Sequence, residues 1–310
     1  MTEPRTDGDG VNPATAFSLL GSETRLRILS ALWESAPAPM TFSKLQVRVG
    51  VRDAGQFAYH LNKLVGPYVH KSDEGYGIRM AGVNVVWAML SGEMTDHPDT
   101  ERFEVEGGCS RCGGSLEARY EDELLAIECT RCAHLAALAP FPPPGFADRT
   151  HEEVLDAFER RLRSAFEQMA HGSCPRCACH GSVTLPTSAS DRPSGRSSLE
   201  PLTENDAFAV FRCAHCGFWG EEDIGCLLTH HAVVKSFFRD HGVDFDELPS
   251  WSRSQYLECE TDVRSTDPLS VRVRFFAGDE SLVVTADETL SLESVERESA
   301  GHSAAGERTD

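Results

Sequence analysis

The sequence predicts an α+β protein of 310 residues, and three patterns support that fold class. Short helical segments open the chain and lead into a two-stranded hairpin. Two pairs of C-x-x-C motifs come next, with a long helical segment between them. Segments of alternating apolar and polar residues close the chain and predict strands. Because each pattern has its own periodicity and composition, we expect several small domains in order along the chain.

Three helices are predicted at the start. The first follows Ser22, which can act as an N-cap, and stops before Pro37; the second follows Thr41 and ends at Gly50. Asp53 opens the third, and Gln three residues later supplies the second half of a capping box. Apolar residues then recur at helical spacing and form one buried stripe. They are Ala54, Phe57, Ala58, Leu61, Leu64 and Val65.

The opposite face of the third predicted helix is polar and carries Gln56, Tyr59 and Lys63. In the major groove of DNA, Gln pairs with adenine edges and Lys with guanine or phosphate. This face is therefore the candidate recognition surface. His60 lies at the border of the buried stripe, and packing against the preceding helix is the simpler interpretation of that residue.

A hairpin and a closing helix complete this segment. Two extended pieces are predicted at residues 68–71 and 76–80, joined by the turn sequence Ser-Asp-Glu-Gly. The helix that follows runs from Met80 to Leu90. Its apolar stripe is either domain core or a dimer seam, and it consists of Val83, Val86, Trp87 and Leu90.

Helices followed by a tight hairpin are typical of a winged helix-turn-helix, which the sequence predicts over residues 13–92. In such a domain we expect the recognition surface to probe base edges and nearby basic side chains to hold the duplex through phosphates. The expected phosphate contacts are Arg48, Arg52, Lys71 and Arg79. Some domains of this kind serve only as protein–protein modules, and that alternative stays open.

The run over residues 45–64, with His60-Leu61 followed by Lys63-Leu64, resembles the recognition region of ArsR-type winged-helix regulators. The opening run over residues 20–29 resembles the first helices of that family. The wider layout, a winged helix followed by cysteine-rich ribbons in an acidic chain, is similar to a group of haloarchaeal regulators. Metal-sensing ArsR members carry a cysteine pair on or beside a DNA-binding helix, whereas the first cysteine here is Cys109. The resemblance therefore does not imply release from DNA by metal at that place.

The chain is strongly acidic, with 49 Asp and Glu against 29 Lys and Arg, and this composition predicts a salt-adapted protein. Residues 11–92 depart from it: they hold eight basic and five acidic side chains, while the chain as a whole carries −20. That contrast favours contact with double-stranded DNA. No segment approaches the roughly 20 apolar residues of a membrane span, so we expect a cytoplasmic protein with no membrane association.

Cysteine spacing predicts two structural zinc sites. The first would use Cys109, Cys112, Cys129 and Cys132, in two C-x-x-C knuckles separated by sixteen residues that supply a hairpin. The second would use Cys174, Cys177, Cys213 and Cys216, separated by thirty-five residues. Much of that insert, residues 185–205, is rich in Ser, Pro and Gly and predicts a mobile loop. Near the second site, the residues that could substitute as ligands are Cys179, His171, His180 and His215.

Disulfides are the competing interpretation of these cysteines, but a cytoplasmic chain with paired C-x-x-C spacing favours metal. Four thiolates leave no open position for water, so zinc catalysis is not expected, and no catalytic motif is found elsewhere. Cys179, Cys226 and Cys259 remain as ordinary buried residues, with a redox-sensing role of Cys179 as a minority hypothesis.

After the first ribbon, a capping box at Thr150 and Glu153 begins a helix that runs to about residue 170 and has an apolar stripe along one side. A further helix is predicted at residues 225–241, in which His230 and His231 are interpreted as a solvated pair rather than a metal site. Three strands are predicted at residues 256–263, 269–276 and 282–285.

The domain prediction is a disordered N-terminus over residues 1–12, a winged helix-turn-helix over 13–92, a first zinc ribbon over 100–148 and a linking helix over 149–172. A second ribbon with an α+β C-terminal region follows over 173–297, and a disordered tail over 298–310. We expect a sequence-specific transcriptional regulator that binds DNA as a homodimer, with an effector that the sequence does not identify. The alternatives are a protein-interaction adaptor of the transcription machinery and a zinc- or redox-responsive sensor.

Overall fold

The computed structural model describes residues 12–96, 101–185 and 208–299, and it is an α+β structure of helices and antiparallel sheets. It divides into two compact units, residues 1–98 and 99–310. The disordered N-terminus predicted over residues 1–12 lies, apart from residue 12, outside the described residues. So do residues 300–310 of the predicted tail and most of the predicted mobile loop. In the part that is described, no helix is long and apolar enough to cross a membrane.

The first unit contains five helices and a hairpin among its described residues. In order they are α1 (Pro13–Ser18), α2 (Glu23–Ser35), α3 (Phe42–Val49), α4 (Ala54–Leu64), β1 (Val69–Ser72), β2 (Gly75–Ile78) and α5 (Met80–Leu90). The sequence analysis did not predict α1, since six residues are too few to show a period. The Tyr68 hydroxyl donates to the Ala16 carbonyl at 2.9 Å and links α1 to the turn between α4 and β1.

The three predicted helices correspond to α2, α3 and α4, and local signals define their ends. Ser22 and Thr41 occupy the N-cap positions without a side-chain cap bond, whereas the Asp53 carboxylate accepts from the Gln56 backbone N–H at 2.5 Å. Gly50 ends α3 in the left-handed region at φ 77°, which a side chain would oppose. The core of the unit lies between these helices and includes Ile28, Leu29, Leu45, Phe57, Leu61 and Leu64.

The hairpin is tighter than predicted, because only Asp73 and Glu74 separate β1 from β2. Met40 pairs with Tyr76 through two backbone hydrogen bonds of 2.9 and 2.8 Å, which holds the hairpin against the start of α3. The predicted apolar stripe of α5 divides. Val86 is fully buried in the core, whereas Trp87 and Leu90 are 50% and 64% exposed.

The second unit begins with a four-stranded antiparallel sheet in chain order. Its strands are β3 (Glu101–Gly108), β4 (Ser115–Glu121), β5 (Leu124–Cys129) and β6 (Leu135–Pro140). The hairpin predicted between the first two knuckles is β4 and β5, joined by Asp122 and Glu123 at positive φ. One face of this sheet packs on the helix α6 (His151–Ala170), through buried Phe158 and Leu162.

The capping box predicted at Thr150 and Glu153 is present in both directions and begins α6. The apolar stripe of α6 contributes to two hydrophobic cores. Phe158 lies in the core under the first sheet, and Met169 lies in the core of the C-terminal half. Arg163 does not belong to the apolar stripe of α6, yet it is half-buried. It donates to the Leu248 carbonyl at 3.2 Å and to Glu159 at 2.9 Å.

The remaining elements form two further sheets with helices between them. They are β7 (Ser182–Thr184), β8 (Phe208–Arg212), β9 (Trp219–Asp223), α7 (Ile224–Leu228), α8 (Ala232–Asp240), β10 (Glu258–Thr266), β11 (Leu269–Ala277), β12 (Glu280–Asp287) and β13 (Leu292–Ser299). The sheets have the orders β7-β8-β9 and β10-β11-β12-β13, all antiparallel.

Two predictions in this half need correction. The single helix predicted over residues 225–241 is two helices, because the chain turns at Thr229 and restarts at Ala232. The predicted meander of three strands has a fourth, β13, whose last two residues had been assigned to the disordered tail. β13 is an edge strand rich in Glu, so it lacks the apolar alternation by which the other strands were predicted.

Candidate metal centres and nucleic-acid interface

Four short turns carry the eight C-x-x-C cysteines, and all four have the same local conformation. In each, the residue after the second cysteine donates its N–H to the carbonyl of the first cysteine at 2.9 to 3.0 Å and has a positive φ. The first cysteine donates its own N–H to the carbonyl of the residue that follows the positive-φ residue, at 2.8 to 2.9 Å. The positive-φ residues are Gly113, Ala133, Ala178 and Gly217. Because two of these four residues are not glycine, the sequence alone did not show that the same turn conformation occurs four times.

The first cluster brings two of these turns together at the end of the β3–β6 sheet. The Sγ atoms of Cys109 and Cys132 lie 3.7 Å apart, and those of Cys112 and Cys129 lie 3.5 Å apart. Cys109 and Cys129 are buried, while their partners are half-buried.

The second cluster joins the turn before β7 to the turn between β8 and β9. Cys174 and Cys216 have Sγ atoms 3.6 Å apart, and Cys177 and Cys213 have theirs 3.5 Å apart. Cys216 is exposed, which makes this cluster the more accessible of the two. The substitute ligands weighed from sequence, three histidines and Cys179, are not members of the cluster.

The geometry fits a tetrahedral thiolate-bound metal. In each cluster all four Sγ atoms lie within 4.8 Å of one another. A tetrahedral Zn²⁺ with bonds of about 2.3 Å would separate its sulfurs by about 3.8 Å. A disulfide would need about 2.05 Å, and all eleven cysteines are free. The structure therefore favours metal binding over disulfides at both clusters.

Backbone N–H groups around the clusters favour the thiolate form that a metal requires. The N–H of Arg111, Arg131 and Arg176 each donates to the preceding cluster sulfur at 3.4 Å. Backbone hydrogen bonding, first from Cys132, lowers the pKa of Cys129 to about 6, and that from Cys216 lowers the pKa of Cys213 to about 7. At Cys132 the lowering by a backbone hydrogen bond from His134 is outweighed by hydrogen bonds with the neighbouring sulfurs, and the pKa rises to about 12; burial raises the pKa of Cys174. Burial also raises the pKa of Cys226 and Cys259, which lie outside the clusters.

The predicted recognition residues share one exposed face of α4. Gln56, Tyr59 and Lys63 are all exposed, with Tyr59 at 61%, while Phe57, Leu61 and Leu64 on the other side are fully buried. The Lys63 ammonium lies 5.8 Å from the centre of the Tyr59 ring, within reach of a cation–π contact. The Gln46 side chain donates to the carbonyls of Val51 and Arg52 and so fixes the turn between α3 and α4, a role that sequence analysis missed.

The predicted phosphate contacts occupy different surroundings. Arg48 is paired with Glu34 of α2 at 2.5 Å, which sequence could not show because the two residues lie on different helices. Lys71 lies 5.7 Å from the Tyr76 ring on the hairpin, whereas Arg52 and Arg79 are exposed. His60 is half-buried, and its ring packs edge-on to Tyr59 at 5.3 Å.

A buried polar contact lies in the second unit, where His230 and Arg253 are 4% and 2% exposed. Arg253 Nη1 donates to His230 Nε2 at 2.8 Å. Burial, and then the charge of Arg253, lower the pKa of His230 to about 3, so this imidazole is neutral. His230 and His231 were expected to be a solvated pair; both are buried instead, with their rings against Phe166 and His171 of the α6 segment.

A family model described as a domain of unknown function (DUF7351) matches residues 106–292. That range covers both cysteine clusters, α6 and most of the C-terminal sheet. A second model, also a domain of unknown function (DUF7347), matches residues 13–89 of the first unit. No curated protein and no solved structure matches the chain.

Proposed function

The chain belongs to the DUF7351 family, whose model spans more than half of it, and we propose that it is a sequence-specific DNA-binding transcriptional regulator with a zinc-stabilised C-terminal region. The first unit would be a winged helix-turn-helix of the kind that ArsR-type regulators use. The second would carry two zinc ribbons. Two copies would act together on a pseudo-palindromic operator, with their α4 helices about one DNA turn apart.

The exposed face of α4 is the observation that carries this proposal. This face offers an amide, a phenol and an ammonium, and the other side of the helix is buried. The helix α4 follows α3 after a turn that is held by the side chain of Gln46. Among the described residues, Lys63 forms no salt bridge, so its charge is available to a phosphate or a guanine. Of the five acids over residues 11–92, Asp53 is engaged in a helix cap and Glu34 in an ion pair. The segment keeps an excess of basic side chains, which would favour contact with DNA.

In this mechanism Gln56, Tyr59 and Lys63 read base edges, and Arg52, Lys71 and Arg79 hold the duplex through phosphates. Arg48 would have to leave Glu34 to reach a phosphate. Their ion pair is about half exposed on both sides, so exchanging it for a phosphate contact would cost little.

The eight cluster cysteines would hold two structural Zn²⁺ ions. A bound Zn²⁺ supplies a cross-link between distant turns and, with four thiolates around it, no open position for chemistry. Each ion would cross-link two turns that are distant in the chain, and so would stabilise the second unit.

Enrichment of DNA from a pool of genomic fragments at high salt tests the function. High salt suppresses counterion release, so the binding that survives comes from close contacts. A regulator will enrich one short motif. We expect Gln56→Ala and Lys63→Ala each to weaken binding to that motif by about tenfold, a bidentate pair being worth about 1–3 kcal/mol. Arg160→Ala removes an exposed positive charge from α6 in the second unit and is the matched control.

A protein-interaction adaptor is the second candidate, and the apolar surface of α5 favours it. Trp87 and Leu90 of α5 are 50% and 64% exposed, and Met94 just after this helix is 75% exposed. An adaptor will enrich no motif in the same experiment, and Lys63→Ala will then leave its fragment profile unchanged. A second copy of the chain could cover the same surface in the regulator.

A further inference from the structure

Two histidines meet where α6 ends and α8 begins, outside both cysteine clusters. His171 is the C-cap residue of α6, and His231 is the N-cap residue of α8. Their ring centres lie 4.9 Å apart with the planes inclined at 41°. We propose that His171 and His231 together bind one divalent transition-metal ion through their Nε2 atoms.

His171 presents the right nitrogen for such a bond. Its Nδ1 donates to the Glu167 carbonyl at 2.7 Å, which places the ring proton on Nδ1. The Nε2 lone pair of that tautomer is then left to bind a metal ion. A backbone carbonyl that holds the other nitrogen is the usual support of a metal-binding histidine.

His231 presents an unpartnered nitrogen from a buried position. It is only 9% exposed, and its Nε2 is a buried atom with no hydrogen-bond partner. Burial lowers the pKa of this imidazole, and hydrogen bonding to the backbone of Leu290 and Ala170 offsets that lowering only in part, so the neutral ring is favoured. A buried ring nitrogen without a partner is costly, and a metal ion would supply the missing bond.

The ring separation fits one shared ion. A metal about 2.1 Å from each Nε2 would lie about 3.2 Å from each ring centre. With both Nε2 atoms directed at the ion, centres 4.9 Å apart correspond to an angle at the metal of about 100°, close to tetrahedral or square geometry. His171 is exposed, so solvent can reach the ion and water can fill its other positions.

Two imidazoles select a particular class of ion. Imidazole suits Zn²⁺, Ni²⁺ and Cu²⁺, whereas Mg²⁺ and Ca²⁺ require oxygen ligands. Affinity will be lower than at the four-cysteine clusters, since only two protein ligands are present. The site would therefore fill after the thiolate clusters.

Titration of untagged full-length protein with Ni²⁺ tests the proposal, after the metal already held by the cysteine clusters has been measured. We expect one additional ion per chain. His171→Ala and His231→Gln should each weaken its binding by at least tenfold, while His180→Ala, an exposed histidine nearby, should not change it. With Cu²⁺ as the probe, electron paramagnetic resonance should show coupling to two imidazole nitrogens.

Contact between the rings without metal is the competing account. It predicts no additional Ni²⁺, or Ni²⁺ binding that His171→Ala leaves unchanged, and either result overturns the proposal. His171 is exposed, so its replacement keeps the test valid even if His231→Gln fails to fold.

Discussion

His230 combines burial with a neighbouring positive charge, and the two effects have the same sign. Protonation would place a second proton-bearing nitrogen against Arg253 Nη1, 2.8 Å away. The pKa of His230 is lowered from 6.5 to about 3, mainly by burial. A base whose pKa is lower in the folded state stabilises that state above its unfolded pKa, and this stabilisation is lost as the pH falls.

We therefore expect the free energy of unfolding to decrease as the pH falls from 6.5 towards 3, with His230 contributing to the slope. In His230→Gln the amide oxygen can still accept from Arg253 but does not titrate, so the pH profile should be flatter. Chemical denaturation at successive pH values measures both profiles. Acid loss of cluster metal affects the two proteins alike, so their difference isolates His230. Parallel profiles would contradict this account.

The proposed DNA contacts and the candidate metal ligands could be identified from sequence because their chemistry depends on local spacing. C-x-x-C pairs and a polar face at helical spacing are visible along the chain. Arg253 could not be predicted in the same way. Its partner lies 23 residues away, and a buried arginine on a short 3₁₀ turn has no sequence pattern of its own.

The repeated cysteine turn is the element on which both clusters depend. At its positive-φ position two turns have glycine and two have alanine, at Ala133 and Ala178. Left-handed backbone opposes a side chain and opposes a β-branched one most strongly.

Ala133→Val should accordingly lower the free energy of unfolding of the metal-loaded protein by about 1–2 kcal/mol. Ala133→Gly is the matched control, since it changes the same position to the residue that left-handed backbone favours. Thermal or denaturant unfolding of the two variants gives the comparison. Equal stabilities would show that the turn tolerates valine and that its conformation differs from the one described.

Helix prediction succeeded where caps and apolar period agreed, and it failed where one was missing. Asp53 and the box at Thr150 mark α4 and α6 clearly, and both helices form. Between α7 and α8 the apolar residues continue at helical spacing, so sequence indicated one helix. The break depends on tertiary packing, with Thr229 fully buried and its hydroxyl bonded to the Cys226 carbonyl at 2.6 Å.

At the scale of the whole molecule, the two units differ in their cysteine content. All eleven cysteines lie in the second unit, and the first is held together by an apolar core of its own. Removal of metal should therefore loosen residues 101–299 and leave residues 12–96 folded.

Hydrogen–deuterium exchange before and after treatment with a strong chelator measures this difference. We expect faster exchange in β3–β13 and little change in α2–α4, with recovery when Zn²⁺ is restored. Faster exchange in α2–α4 to the same extent would show that the two units do not respond separately. The same treatment separates the sensor alternative, because a zinc-responsive sensor would change its DNA affinity while α4 stays protected.

The helix α6 contacts the cores that support both cysteine clusters. Its first half is packed under the β3–β6 sheet that carries one cluster, and Met169 and Ala170 at its end belong to the core that contains Cys174 and Cys213 of the other. Binding of the first ion would order the helix, and the second cluster would then form on a support that has already lost its conformational freedom. Metal uptake by this protein is thus expected to be cooperative, with few chains holding a single ion.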